Sequence, residues 1–469
     1  MLSKFNFLIP RRSLFNKHPK EKLVILGTGW GGTAIEKYIS TNLYDVTIVS
    51  PRNHFLFTPL LASTAVGTLN FTSIIDPVRR NQSKLKKNSD YQCAYAETLD
   101  IRNKTITCKC ALKDDLPAFT IPYDKLAICL GAETNTFNIP GVYEYAYFLK
   151  EISHAMAIKR RLAENLELVA SNHLSTEDKR AKLHVVIVGA GPTGIEFGAE
   201  FYDFMKKDVS KKFKDIEEYV AVTIIDSGKI LSCFDEKLRK RSKEKISKRA
   251  NFKTIEDTGV VEVHKDRVIL SDGQVLKTNL VVWNTGLKPV QFIQDIENLE
   301  KSNRGYLLTD NSMRTSDPNI YAIGDCAEVK DKNYLQTAQQ AEQQGKYLAK
   351  EVLNKKTSNP KEYSYFHRGI MAYIGGFSAN VDMTDVKKLG PINLKLPSSV
   401  TTWQGIHSFI AWRSVYWTML GRWHLRLQVP VDWTKSLIWG RDSSIFLNTR
   451  RPEHIKSRST IGKDARLTN

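Results

Sequence analysis

Two glycine triplets have the spacing for holding a pyrophosphate. Gly27, Gly29 and Gly32 lie in LVILGTGWGGTAIEKYI, and Gly189, Gly191 and Gly194 lie in VVIVGAGPTGIEFGAEF. In a G-x-G-x-x-G loop the first glycine makes a tight turn, the second lets backbone N–H groups approach the phosphates, and the third brings helix against strand. Gly31 in the first loop, and Pro192 and Thr193 in the second, complete the cradles. An acid ending the second strand of such a unit accepts hydrogen bonds from the adenosine ribose. Asp226 ends YVAVTIID and is followed by Ser227 and Gly228, a set that suits a free 2′-hydroxyl and repels a 2′-phosphate, so NADH is expected there rather than NADPH. The first unit ends its strand YDVTIVS on Ser50, with Pro51 and Arg52 next. Without an acid, the ribose contact falls to Ser50 or the backbone, and the ligand is something other than NAD.

Later segments fit FAD in that first cradle. YDKLAICLGAETNTFNIPGV closes a strand on Gly131 and Ala132, which lets backbone pass a bound nucleotide. NIYAIGDCAE ends a buried strand on Gly324 and Asp325. A carboxylate there accepts from ribityl hydroxyls while a following helix N-terminus faces the pyrophosphate, although in isolation Asp325 reads as a helix cap. Glu196, on the first turn of the helix after the second cradle, by itself reads as a favourable partner of the helix dipole. Glu200 is one turn on. In TAQQAEQQGKYLA, Ala338, Ala341 and Gly345 allow close helix packing, and Gln339 and Gln343 project from one face. Alone, those amides read as a solvated face.

Both cradles need the same support, a β-branched strand before and an amphipathic helix after, and both have it. At 469 residues the chain is too long for one ordinary core, and 42% hydrophobic with 25% charged residues is a globular balance. The expected fold class is α/β, with two Rossmann-like dinucleotide-binding domains and a C-terminal membrane-associated helical segment. No apolar run reaches the roughly 18–20 residues of a spanning helix, so membrane contact is expected to be peripheral.

The formal charge of +19 is concentrated at the ends: +5 in residues 1–20, and +7 from Trp403 onward. MLSKFNFLIPRRSLFNKH is free of acids and interleaves Arg, Ser and Phe/Leu, as a mitochondrial transit peptide does; the alternative is a basic arm. A charge excess held at the ends argues against nucleic acid as partner. The six cysteines, Cys93, Cys108, Cys110, Cys129, Cys233 and Cys326, show neither a CxxC pair nor metal-ligand spacing, so reduced thiols and no metal site are expected. No segment has the DxDxDG pattern of a calcium loop. Plotted at 100° per residue, residues 403–420 place Gln404, His407, Ala411, Ser414 and Thr418 on a narrow stripe. Ile406, Phe409, Ile410, Trp412, Tyr416, Trp417, Met419 and Leu420 occupy most of the rest, interrupted by Arg413. With Arg422, His424 and Arg426 beyond it, the segment reads as an interfacial helix, the membrane contact running over 403–426. The alternative is a core-packing helix at a dimer interface.

In order, the two cradles, the CLGA segment, VVWNTG ending on Gly286, and GDCAE resemble the two-dinucleotide-binding-domain flavoproteins over residues 22–350. FLFTPLLAS, AGPTGIEFGAE, TAQQAEQQGKYLA and FIAWRSVYWTMLGRW are similar to the type II (alternative) NADH:quinone oxidoreductases of mitochondria. Ala62 stands where that family more often has proline. The resemblance implies FAD in the first cradle, with Thr58, Pro59, Leu60 and Ala338 on the flavin side, and NADH in the second. It places Glu196 near nicotinamide and flavin, makes Gln339 and Gln343 ligands of a ubiquinone-type quinone, and adds Gln344 with less certain contact. The chain divides into a transit peptide (1–20), an FAD-binding domain in two parts (21–150 and 305–390), an NADH-binding domain (151–304) and a membrane-anchoring region (391–469). A homodimer and a peripheral place on the mitochondrial inner membrane are family expectations. No CxxxxC pair follows the first cradle, so reduced flavin is expected to pass electrons directly to an acceptor, without proton pumping. Two other readings stay open: a soluble FAD-dependent reductase of a ferredoxin-like protein, and a flavoprotein like apoptosis-inducing factor.

Overall fold

The computed structural model describes residues 20–79, 89–171, 173–213, 215–357, 359–384, 386, 388–389, 392–393 and 402–443. The leader expected over 1–20 lies, except for Lys20, outside these residues, as does the basic tail beyond 443.

Two parallel five-stranded sheets frame the molecule. The first opens with β1 (Glu21–Leu26), in which Leu23, Val24, Ile25 and Leu26 are all buried. A run apolar on both faces is what a parallel strand covered on each side requires. After β1 come α1 (Trp30–Tyr38), β2 (Tyr44–Val49), β3 (Ser89–Gln92) and β4 (Lys125–Ile128). The second sheet contains β5 (Ala146–Phe148), β6 (His184–Val188), β7 (Ala221–Ile225), β8 (Phe252–Ile255) and β9 (Leu280–Trp283), in the order β5-β9-β6-β7-β8. Helix α2 (Pro192–Phe204) runs from β6 toward β7. The chain then returns, since β10 (Ile320–Ala322) pairs with β4 and gives the first sheet the order β10-β4-β1-β2-β3. The second unit is therefore inserted in the first. β5 lies before the boundary suggested at 150, yet it pairs in parallel with β9 and belongs to the second sheet.

Helix α3 (Ala338–Tyr347) packs on α1, so closely that a Cβ on Gly345 would meet Gly31 O at 2.4 Å. An antiparallel sheet follows, formed by β11 (Ile370–Tyr373), β12 (Ala379–Asp382) and β13 (Thr402–Gly405). The continuous helix expected over 403–420 is corrected here. Residues 402–405 pair with β12, and Gly405 at φ 116° ends that strand in backbone open to glycine. Only then does α4 (Ile406–Met419) begin, and a second helix, α5 (Trp423–Ile438), follows.

Candidate functional site

The cradles are near copies of each other. Gly27 and Gly189 both have φ of 104°. A Cβ on Gly27 would lie 2.4 Å from Cys129 O in the CLGA segment, and one on Gly189 would lie 2.5 Å from Asn284 O in VVWNTG. On either third glycine, Gly32 or Gly194, a Cβ would strike the first glycine's carbonyl oxygen at 2.0 Å. The second glycines differ in kind: beside Gly29 only Arg52 Nη2 comes within 4 Å, at 3.6 Å, and beside Gly191 there is nothing. First and third positions are filled by protein, while the second faces open space, the side from which a pyrophosphate approaches. Gly131 likewise meets nothing within 4 Å, and Gly286 (φ 26°) turns its chain beside the ring of Phe137.

In the second cradle Asp226 accepts from the Ala190 N–H at 2.6 Å and the Gly228 N–H at 2.8 Å, which fixes its carboxylate at the end of β7. In the first, Ser50 is buried, its hydroxyl 3.0 Å from Thr28 Oγ1 and accepting from the Arg52 N–H at 3.2 Å. Arg52 Nη1 reaches both carboxylate oxygens of Glu151 at 3.0 Å, while Pro51 is exposed between them. Thr58 accepts from the Trp30 indole at 3.1 Å, and Pro59 and the buried Leu60 continue that turn.

Asp325 is not a helix cap. No N–H or hydroxyl of the described residues donates to its carboxylate; burial pushes that carboxyl up, and the charge of Lys150 opposes the shift. An acceptor so placed fits the ribityl hydroxyls of FAD. Gln344 accepts from the Gly324 N–H at 2.7 Å and so ties the GDCAE turn to α3.

Around Glu196 the units meet. Its carboxyl is buried, and one oxygen accepts from the Tyr373 N–H at 3.0 Å. Burial, aided by the charge of Glu200, pushes the carboxyl up to about 8, against the opposing Tyr373 N–H and the nearby Trp412 indole. At neutral pH this carboxyl holds its proton. The Tyr373 hydroxyl donates to Asp203 at 2.7 Å. The Trp412 ring centroid is 5.8 Å from that of Tyr373 and 5.1 Å from that of Tyr416; Tyr416 is 6.1 Å from Phe57, which is 5.4 Å from Trp30. A chain of aromatic rings thus leads from the first cradle to Glu196. Tyr373, Tyr416 and Trp412 join the site from segments whose sequence carries no nucleotide signal.

Gln339 and Gln343 do share a face of α3, but their amides bind protein. Gln339 accepts from the Arg368 N–H and donates to Gly369 O, both at 3.0 Å; Gln343 accepts from the Phe366 N–H at 3.0 Å and donates to Phe366 O at 2.8 Å. An extended backbone leaves such groups unpaired, and the amides complete them. The solvated-face reading fails for the same reason. Among the described residues, no partner takes the second amide proton or the second lone pair of either side chain.

The C-terminal helices are two-sided. Phe409 and Trp412 pack inward, correcting their assignment to an outward apolar face, while Ile406, Ile410, Val415, Trp417, Trp423, Leu427, Val431, Leu437, Ile438 and Trp439 are exposed. Among the described residues Arg413 pairs with no carboxylate, and it stays on the apolar face: its guanidinium lies 4.4 Å from the Phe409 ring centroid and 4.6 Å from that of Trp433. Arg422 pairs with Asp76 at 2.7 Å, and Arg426 turns back onto Leu420 O and Thr418 O. These two arginines serve the fold first. Among the described residues no helix is long and apolar enough to cross a membrane.

Residues 21–345 match the family described as pyridine nucleotide-disulphide oxidoreductase, and residues 367–442 match the NDH2 C-terminal domain. The chain is 39% identical over 434 residues to the probable NADH dehydrogenase of Dictyostelium discoideum, covering 91% of each chain. It is 38% identical over 450 residues to the mitochondrial internal alternative NAD(P)H-ubiquinone oxidoreductase A1 of Solanum tuberosum, covering 91% of this chain and 88% of that one. Among solved structures, NDH2 from Plasmodium falciparum in complex with NADH superposes with a TM-score of 0.83 at 28% identity, over 91% of this chain and 100% of that one.

Proposed function

We propose, for a chain that belongs to the type II NADH dehydrogenases within the pyridine nucleotide-disulphide oxidoreductases, a division of labour among the residues above. The protein is an FAD-dependent enzyme that passes electrons from NADH to a quinone. Its relatives support a mitochondrial place. The ferredoxin-reductase and apoptosis-inducing-factor readings have no support beside this family membership.

When bound, FAD supplies the two-electron acceptor that takes a hydride from nicotinamide and returns the electrons to quinone. Gly27, Gly29, Gly31, Gly32, the turn from Thr58 to Leu60, Gly131, Asp325 and Ala338 hold it. Gly189, Gly191, Pro192, Thr193, Gly194, Asp226 and Gly286 hold NADH. The observation that carries the reading is Glu196, a carboxyl buried at the end of an aromatic path from the first cradle, where burial favours its protonated form. Reducing a quinone to a quinol takes two electrons and two protons. A hydride equivalent from NADH brings one proton with both electrons, and Glu196 offers the second. Gln339 and Gln343 hold residues 366–369 in place and turn their unused proton and lone pair to the quinone head group.

The exposed face of α4 and α5 sits on the inner membrane, and quinone enters beside it. We assign this face to lipid rather than to a second copy of the chain, because the exposed Trp423 and Trp439 combine ring and polar N–H as an interface does, and Asp432, the one acid of the two helices, turns to the Asn70 N–H and the Ser73 hydroxyl. Anaerobic titration tests the whole reading. NADH should bleach the flavin and a short-chain quinone should restore it; a flavin reduced by NADH but not reoxidised by quinone rejects the acceptor.

A further inference from the structure

Arg441 follows α5 by way of Gly440 and reaches far across the chain. Its Nη2 donates to Glu200 at 3.0 Å, Nη1 to Asp208 at 2.9 Å, Nε to Thr68 Oγ1 at 2.8 Å, and its backbone N–H to Asp208 at 3.2 Å. Glu200 also accepts from Ser63 Oγ and Thr68 Oγ1, each at 2.9 Å. The next residue continues the join: the Asp442 N–H donates to Gly67 O at 3.0 Å, and a Cβ on Gly67 would lie 2.0 Å from Asp442 O. One side chain thereby ties together the first unit, the region of α2 and the C-terminal helices.

Glu200 is one helical turn from Glu196. An anion there resists ionisation of Glu196, and a guanidinium against it offsets part of that effect. The groups facing Glu196 are Glu200 on its own helix, Tyr373 on β11, and Trp412 and Tyr416 on α4, while Asp203 bonds the Tyr373 hydroxyl. Arg413 acts on Glu200 and Tyr373 through space, with its charge between two rings. Among the described residues, Arg441 is the cation that hydrogen-bonds Glu200.

We propose that Arg441 is a positioning residue for the redox site, which neutralises Glu200 and thereby sets the pH range over which Glu196 keeps its proton, while tying the C-terminal helices to the helix that carries both glutamates. This rests on the reading of Glu196 as the proton-holding carboxyl. Infrared difference titration of the FAD-loaded protein follows the C=O band of a protonated carboxylic acid, and the band missing in E196Q identifies Glu196. Its midpoint should rise by about one pH unit in R441M, as expected for unmasking a like charge one turn away. It should stay in place in R441K and in D208N, which loosens the same segment but leaves Glu200 paired, and it should fall in E200Q. Flavin reoxidation by a short-chain quinone should show the same displaced inflection. Equal movement in R441M and D208N overturns the proposal, because the contact is then structural only. If R441M does not fold, R441Q decides, and an unmoved midpoint there overturns it. A band and inflection that survive in E196Q reject Glu196 itself and this inference with it; their loss in E196Q, with R441M unmoved, rejects Arg441 alone.

Discussion

Replacing Glu196 by Gln should protect the protein against alkali. In the fold the carboxyl is held at about 8, against an ordinary value of 4.5, chiefly because burial disfavours its anion. Between those values the folded chain carries a proton at this site and the unfolded chain does not. The stability contributed here is therefore fully present below about 4.5 and is lost as pH rises through about 8. The loss is roughly 1.4 kcal/mol per pH unit, or about 5 kcal/mol across the window. Gln keeps an oxygen to accept the Tyr373 N–H and carries no charge, so the variant lacks this slope. An unfolding entropy of about 2.1 cal/mol/K per residue gives a chain of this length about 1 kcal/mol/K. The variant's Tm should match the wild type near pH 5 and exceed it by about 3–4 °C near pH 8.5. Calorimetry of the FAD-loaded proteins across that range measures it. A Tm difference that does not change with pH, or that closes as pH rises, refutes the reasoning.

Three further outcomes follow from the site. D226Q removes the anion that a 2′-phosphate would meet, so the NADPH-to-NADH ratio of kcat/KM should rise about tenfold, roughly 1.4 kcal/mol of changed preference; an unchanged ratio rejects the assignment. Q343L deletes both hydrogen bonds to Phe366, worth about 1–3 kcal/mol if the backbone groups stay buried, and should slow flavin reoxidation by quinone about tenfold while NADH still reduces the flavin at a near-normal rate. Slowing confined to the NADH step would move Gln343 to the nicotinamide side. W417S combined with L427S should release the protein from anionic liposomes with little change in Tm, whereas W412S, at a buried ring, should lower stability by about 3–5 kcal/mol and leave lipid binding intact. Liposome sedimentation read beside the melting curve tests both, and a double variant that stays bound removes this face from the membrane contact.

Both cradles were legible in the sequence because everything they need is local. A strand, three glycines and a helix lie within a short stretch, and the φ of 104° at Gly27 and Gly189 follows from a turn that few other residues accept. The positions of Asp226 and Asp325 follow from the same local logic, each in the turn after its strand. Period and spacing also gave α3 the shared face of Gln339 and Gln343, but they carry no information about what meets that face. Tertiary structure put residues 366–369 against it and gave each amide backbone partners as well. On α4 the aromatic side chains cover so much of the circumference that helical period does not distinguish inward from outward; the pairing of β13 with β12 decides it, burying Trp412 beside Glu196 and leaving Trp417 outside. Arg441 had no signal at all. A single arginine gains its role only when folding brings it to Glu200 and Asp208, and the carboxylates lie more than two hundred residues earlier in the chain.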